Sequence, residues 1–223
     1  MGATVIAGRS WLARGVPVMA MTALAVGGVA GGGASAATAA AVPGTITTVA
    51  GGVGGPGRAT NVPLFDPCGV SVANGLLNIA DTHSNRVRVV AETSGTFYGQ
   101  SMTAGDIYTV AGGGTAGVAN GIPATTATLG FANGVAVDPQ GNLVISTSKQ
   151  RVRVVAESTG TFYGIAMTAG DIYTVAGDGT FGFSGDGGPA TGAALSYPDA
   201  VAVNGASLVF ADQDTSRIRQ VTG

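Results

Sequence analysis

Apolar and polar residues alternate with period two along much of this chain, and the alternation comes in short packets. Gly69-Val-Ser-Val, Gly134-Val-Ala-Val and Ala200-Val-Ala-Val each read as a strand with one face turned to a core. Behind each stands reversal chemistry: Ala73-Asn74-Gly75, Asp138-Pro139-Gln140-Gly141-Asn142 and Asn204-Gly205-Ala206. Asn and Gly accept the positive φ of a tight turn, and Pro presets the φ of its first corner. A second strand is predicted over 76–80, 143–146 and 208–211, and a third over 86–91, 151–156 and 217–221. A fourth is predicted over 106–111 and 171–176.

The packets are copies of one unit. The run Val87-Arg-Val-Val-Ala-Glu recurs from Val152, Gly95-Thr-Phe-Tyr-Gly recurs from Gly160, and Asp106-Ile-Tyr-Thr-Val-Ala-Gly recurs from Asp171, each 65 residues on. A third, cut-short copy supplies Arg217-Ile-Arg-Gln-Val. Val70 to Arg86, Val135 to Arg151 and Val201 to Arg217 are each 16 residues apart, so strand, turn, strand and turn are held at fixed length while other connections vary. Self-similarity at a fixed period marks a supersecondary module that buries its apolar face against its neighbours. Four antiparallel strands per module predict an all-β chain of β-propeller blades rather than a solenoid.

Composition agrees with short strands and many turns. Gly accounts for 39 of 223 residues, charged residues for 10 % and apolar residues for 45 %. Arg9 and Arg14 precede an uncharged apolar stretch over 16–30, and Ala34-Ser35-Ala36 and Ala37-Thr38-Ala39 offer small-residue cleavage sites. That order predicts a secretory signal peptide over 1–41, an extracellular location, and no stable membrane span after cleavage. The remaining chain, 42–223, keeps eight basic and twelve acidic residues, which gives no electrostatic reason to bind nucleic acid. The lone Cys68 forms no intrachain disulfide and is expected to be a small buried hydrophobe.

Two of the units carry a recognisable pattern. Ala80-Asp81-Thr-His-Ser-Asn85-Arg86-Val-Arg and Ala211-Asp212-Gln-Asp-Thr-Ser-Arg217-Ile-Arg resemble the Ala-Asp-x-x-Asn-x-Arg-Ile-Arg core of NHL repeats. Gly134-Val-Ala-Val-Asp-Pro-Gln-Gly-Asn-Leu is similar to the strand preceding that core. Phe183-Ser-Gly-Asp-Gly-Gly-Pro-Ala, with Leu195 and Pro198, resembles the inter-blade loop of many bacterial NHL proteins. The resemblance covers residues 46–223. The middle copy departs from it: Ile145-Ser-Thr-Ser-Lys-Gln-Arg151 is one residue shorter and lacks the Asp and Asn.

The resemblance implies an NHL-type propeller with blades near 66–112, 131–177 and 197–223. The last would be completed by a strand at 46–50, whose sequence Ile46-Thr-Thr-Val-Ala repeats the fourth strand. Propellers of this family usually have six blades, and sometimes five. About three blades therefore imply a fragment of a longer propeller, or two copies pairing head to tail as a homodimer that closes a six-bladed ring.

Candidate chemistry is sparse. The pairs Arg86/Arg88, Arg151/Arg153 and Arg217/Arg219 each share one strand face. Recurrence in every unit reads as structure, with Asp81 expected to pair with Arg86 and Asp212 with Arg217. His83 is the only histidine, and one imidazole is a poor zinc site, so a solvated turn residue is expected. Asp178 and Asp186 are the weak candidates for a calcium site, although their spacing matches no calcium loop; no other cofactor is implied. Phe97, Tyr98, Phe162 and Tyr163 lie in the 15-residue connections between third and fourth strands, either as a projecting aromatic stripe or folded back as a satellite core. With Phe183 in the variable loop, they are the binding-surface candidates. No nucleophile–base arrangement or carboxylate dyad stands out. The reading is a secreted binding or scaffolding module for a protein or carbohydrate ligand. The alternative is a metal-dependent, lactonase- or lyase-like propeller enzyme whose site lies in blades beyond these.

Overall fold

The computed structural model describes residues 44, 46–52 and 57–222. The signal-peptide expectation for 1–41 lies outside them. The chain divides into Met1–Ile46 and Thr47–Gly223, and the fold below belongs to the second unit.

All the regular structure described is extended or 3-10. The first repeat supplies β1 (Pro67–Ala73), β2 (Leu76–Asp81), β3 (Arg86–Ala91), β4 (Gly95–Phe97), β5 (Gln100–Met102) and β6 (Ile107–Gly112). The second supplies β7 (Ile122–Pro123), β8 (Ala132–Val137), β9 (Leu143–Thr147), β10 (Arg151–Val155), β11 (Gly160–Phe162), β12 (Ile165–Met167) and β13 (Asp171–Ala176), and the third β14 (Pro198–Asn204), β15 (Ser207–Asp212) and β16 (Arg217–Val221). The main sheets run β1-β2-β3-β6, β7-β13-β10-β9-β8 and β14-β15-β16, with antiparallel neighbours throughout. The chain is therefore all-β, as the alternation predicts. Asn74 (φ 53°) and Gly75 (φ 72°) close the β1–β2 hairpin with both corners left-handed, the geometry that matches strand twist.

The three sheets stack on one another. Val87 and Val89 of the first sheet pack with Val135, Leu143 and Ile145 of the second in one core. Val144, Val152 and Val154 pack with Val201, Leu208 and Phe210 of the third in another. Every residue of β9 is therefore buried, whereas β14, covered on one side, keeps the half-buried alternation. The sheets meet closely along β1, β8 and β14. A Cβ on Gly69 would stand 2.7 Å from the Asn133 carbonyl oxygen, and one on Gly134 2.6 Å from that of Asp199. These glycines are fixed by the approach of two backbones.

Two expectations are corrected. Residues 46–50 form no strand, and β14-β15-β16 stays three-stranded, so among the described residues the last sheet is not completed. Cys68 is exposed rather than buried. It occupies the bulge of β1, where Asn133, its counterpart in β8, is covered by the next sheet and donates to the Pro198 carbonyl oxygen at 3.1 Å. The long third-to-fourth connections are small hairpins of their own, β4-β5 and β11-β12.

Candidate functional site

The recurring arginines divide their work. The first of each pair curls back onto its own turn: Arg86 Nε donates to the Ser84 carbonyl oxygen at 3.3 Å, Arg151 Nη1 to that of Lys149 at 3.0 Å and Arg217 Nη1 to that of Thr215 at 2.6 Å. The second pairs with the aspartate, Arg88 with Asp81 at 3.9 Å and Arg219 with Asp212 at 3.4 Å. The expected partners Arg86 and Arg217 stand directly opposite Asp81 and Asp212 in register, but the buried carboxylates reach diagonally to the buried guanidiniums. Their other oxygens tether the preceding loops, with Phe65 N–H donating to Asp81 and Ser196 N–H to Asp212, both at 2.6 Å.

The middle unit lacks this carboxylate. Thr147 occupies its register position, and Arg153 lies 1 % exposed with one hydrogen bond, from Nη2 to the Ala119 carbonyl oxygen at 2.7 Å. Its Nε and Nη1 have no partner. Desolvation first, and Arg151 second, push the guanidinium down to about 10. Because the folded value lies below the unfolded one, the penalty is fully present at neutral pH. It is relieved as pH rises through about 10, where the folded guanidinium gives up its proton while the unfolded chain still holds it. Arg153→Met is expected to stabilise the fold by about 1–4 kcal/mol at pH 7, an advantage that shrinks above pH 10, as read by urea denaturation. A loss of stability would mean that the charge is compensated.

The aromatic candidates are folded inward. Tyr98 is 2 % exposed; its N–H donates to Glu157 Oε2 at 2.7 Å, so the first hairpin docks on the second unit. Burial raises the Tyr98 phenol and the Glu157 carboxyl above their ordinary values. Tyr163 OH donates to Asp138 Oδ2 at 2.9 Å, and Phe97 and Phe162 pack half-buried against the cores. No projecting stripe forms from these four.

The variable loop of the third unit is occupied with its own charges. Asp178 Oδ1 accepts from Thr180 N–H at 2.6 Å, while Asp186 pairs with Arg219 at 2.8 Å, so the two calcium candidates serve separate local contacts. Among the described residues no group of three or more His, Cys, Asp or Glu converges. Phe183 carries the Arg217 guanidinium 3.8 Å above its ring centroid, a cation–π contact that leaves it 43 % exposed. His83 is exposed in its turn, with Nδ1 3.0 Å from Asp66 Oδ2.

A concavity lies elsewhere, at the junction of the first two sheets. It is a cleft of about 530 Å³ lined by Ser84, Asn85 and Arg86 from the β2–β3 turn, Gly113, Gly114, Thr128, Leu129, Gly130 and Phe131 from the loop before β8, and Ser148 and Lys149 from the β9–β10 turn. Two of these residues are cationic and none is acidic. The shape follows from local sequence. Gly114 runs against the Thr126 backbone, where a Cβ would collide. Gly130 takes φ 68° and passes beside the Ser148 hydroxyl, which accepts from Phe131 N–H at 2.9 Å. At the next junction the corresponding arginine, Arg151, is drawn onto the Asp178 carbonyl oxygen at 2.6 Å.

No protein-family model matches the chain, and no curated protein matches it. Among solved structures it is similar to a structural-genomics protein of unknown function from Bacteroides thetaiotaomicron, at 19 % identity and a TM-score of 0.48 over 65 % of this chain and 32 % of the other. It is also similar to an auxiliary nutrient binding protein from the same organism, at 13 % identity and a TM-score of 0.44 over 68 % of this chain and 36 % of the other. The chain thus spans about a third of the length of both.

Of the cleft residues, sequence reasoning singles out Arg86 alone. Lys149, Phe131 and the Gly113-Gly114 pair went unmarked. Their signal is the shortened middle turn, together with Gly113 where the next unit has Asp178.

Proposed function

We propose that this chain is a secreted binding module of NHL-type β-propeller architecture, and that it holds an acidic, saccharide-sized ligand in the cleft between its first two sheets. The observation that carries this reading is a 530 Å³ cleft with Arg86 and Lys149 in its wall and no carboxylate. A volume of several hundred Å³ suits a small ligand. Hydroxyls of Ser84, Thr128 and Ser148 and the Asn85 amide match sugar hydroxyls, Leu129 and Phe131 offer an apolar wall, and the guanidinium fork matches a carboxylate. Hydroxyls without an imidazole or carboxylate among the lining residues support binding over catalysis. The propeller reading is supported by the repeat spacing, the NHL-like segments and three stacked antiparallel sheets.

Isothermal titration with galacturonate, and with galactose as the uncharged control, tests the assignment. Galacturonate is expected to bind saturably and galactose much more weakly. Arg86→Ala and Lys149→Ala should each weaken galacturonate by about tenfold, the equivalent of one charge-assisted hydrogen bond. Equal binding of both sugars, or indifference to the double variant, would contradict it.

A further inference from the structure

The two open faces of the sheet stack are the two halves of a contact that the chain already makes twice. At the first internal junction Val135 of β8 is 6 % exposed against Val87 and Val89 of β3, both fully buried. At the second, Val201 and Val203 of β14 lie against Val152 and Val154 of β10. The counterparts on the outer faces are uncovered. Val70 and Val72 of β1 are 68 % and 51 % exposed, and Ile218 of β16, at the position of Val87 and Val152, is 72 % exposed.

The strand edges tell the same story. In the first sheet β6 lies between β3 and the segment Gly57–Arg58, and in the second β13 lies between β10 and β7. In the third, a slot of about 80 Å³ opens at the edge of β16, lined by Arg219, Gln220 and Val221 on one side and by Gly185–Gly188 on the other. No strand described in the chain fills it. Meanwhile Ile46-Thr-Thr-Val-Ala-Gly51 repeats Ile107-Tyr-Thr-Val-Ala-Gly and Ile172-Tyr-Thr-Val-Ala-Gly. Gly51 sits against Leu64 as Gly177 sits against Leu195, and its N–H donates to the Ala59 carbonyl oxygen as Gly177 donates to that of Ala190. Residues 47–50 thus leave the first sheet where a fourth strand of a preceding sheet would arrive.

We infer that the occupant of this edge is a second copy of the chain, with residues 46–50 of one copy adding to β16 of the other and Val70 and Val72 covering Ile218. The contact is heterologous, and two such contacts close a pair of copies. Register follows from β3 and β6, where Arg88 faces Thr109 and Val89 faces Tyr108. By the same offsets Arg219 faces Thr48 and Gln220 faces Thr47 of the other copy. Ala200 stands where Gly69 and Gly134 admit the neighbouring backbone, so this contact is looser than the internal ones and Ala200→Gly tightens it.

Two measurements on the full chain test the inference. Light scattering after size exclusion should give twice the 21.5 kDa chain mass, and Ala200→Gly should shift the dimer–monomer midpoint to lower concentration. In a Cys68→Ser background, Thr47→Cys with Gln220→Cys should oxidise to a cross-linked dimer, whereas the off-register pair Thr47→Cys with Ile218→Cys should not. A monomer at every concentration would overturn the inference, as would cross-linking that is indifferent to register. The wild-type mass stands even if a cysteine variant fails to fold.

Discussion

Asp212→Ala is expected to lower the unfolding free energy by about 2–4 kcal/mol, because it leaves the buried Ser196 N–H without its acceptor and takes one of two carboxylates from Arg219. The Asp212 carboxylate is fully buried and serves three elements at once. It accepts from Ser196 N–H at 2.6 Å in the incoming loop, from the Thr215 hydroxyl at 3.0 Å in the β15–β16 turn, and from Arg219 at 3.4 Å in β16. Removing it leaves Arg219 inside the protein with Asp186 as its remaining carboxylate, on the exposed loop. Asp212→Asn keeps the shape and one acceptor oxygen, so it should fall between wild type and Ala. Urea denaturation reads the series. Equal stability of wild type and Ala would mean that the diagonal pair, and with it the tether of the last sheet, is not formed in solution.

Gly177→Ala is the second large effect. Gly177 has φ 90°, and a Cβ there would collide with the Gln150 carbonyl oxygen and stand 2.9 Å from Leu195 Cδ1. The left-handed conformation costs a side chain about 1–2 kcal/mol and the overpacking about 1–3 kcal/mol, giving a loss of about 2–5 kcal/mol. Gly164→Ala is the control: it has φ 71° but open space around the added carbon, so only the conformational cost remains. If both variants lose the same amount, the close crossing of the outgoing loop over the β9–β10 turn is absent.

Much of the sheet order was legible in the sequence because it depends on neighbours along the chain. The Gly-Val-x-Val alternation, the Asn74-Gly75 corner and the invariant 16-residue step each constrain one hairpin, and hairpins pair locally. Contacts that cross from one unit to the next were harder to read. Cys68 and Asn133 occupy equivalent positions, yet only Asn133 has a following sheet to bury it, which no local pattern announces. The pairing of the aspartates follows the depth of Arg88 and Arg219 rather than strand register. The cleft was missed for the same reason. Arg86 and Lys149 lie 63 residues apart on two sheets, and no pattern local to either turn brings them to one cleft.

We propose the acidic ligand at the first junction, where Arg86 and Lys149 line the cleft. A two-dimensional amide NMR titration of the chain with galacturonate tests it directly. Saturable shifts are expected at Asn85, Gly113, Gly114, Gly130 and Phe131, with Gly179 and Thr180 at the neighbouring junction unmoved. Shifts spread over both junctions, or none at the five cleft amides at saturating ligand, would contradict it.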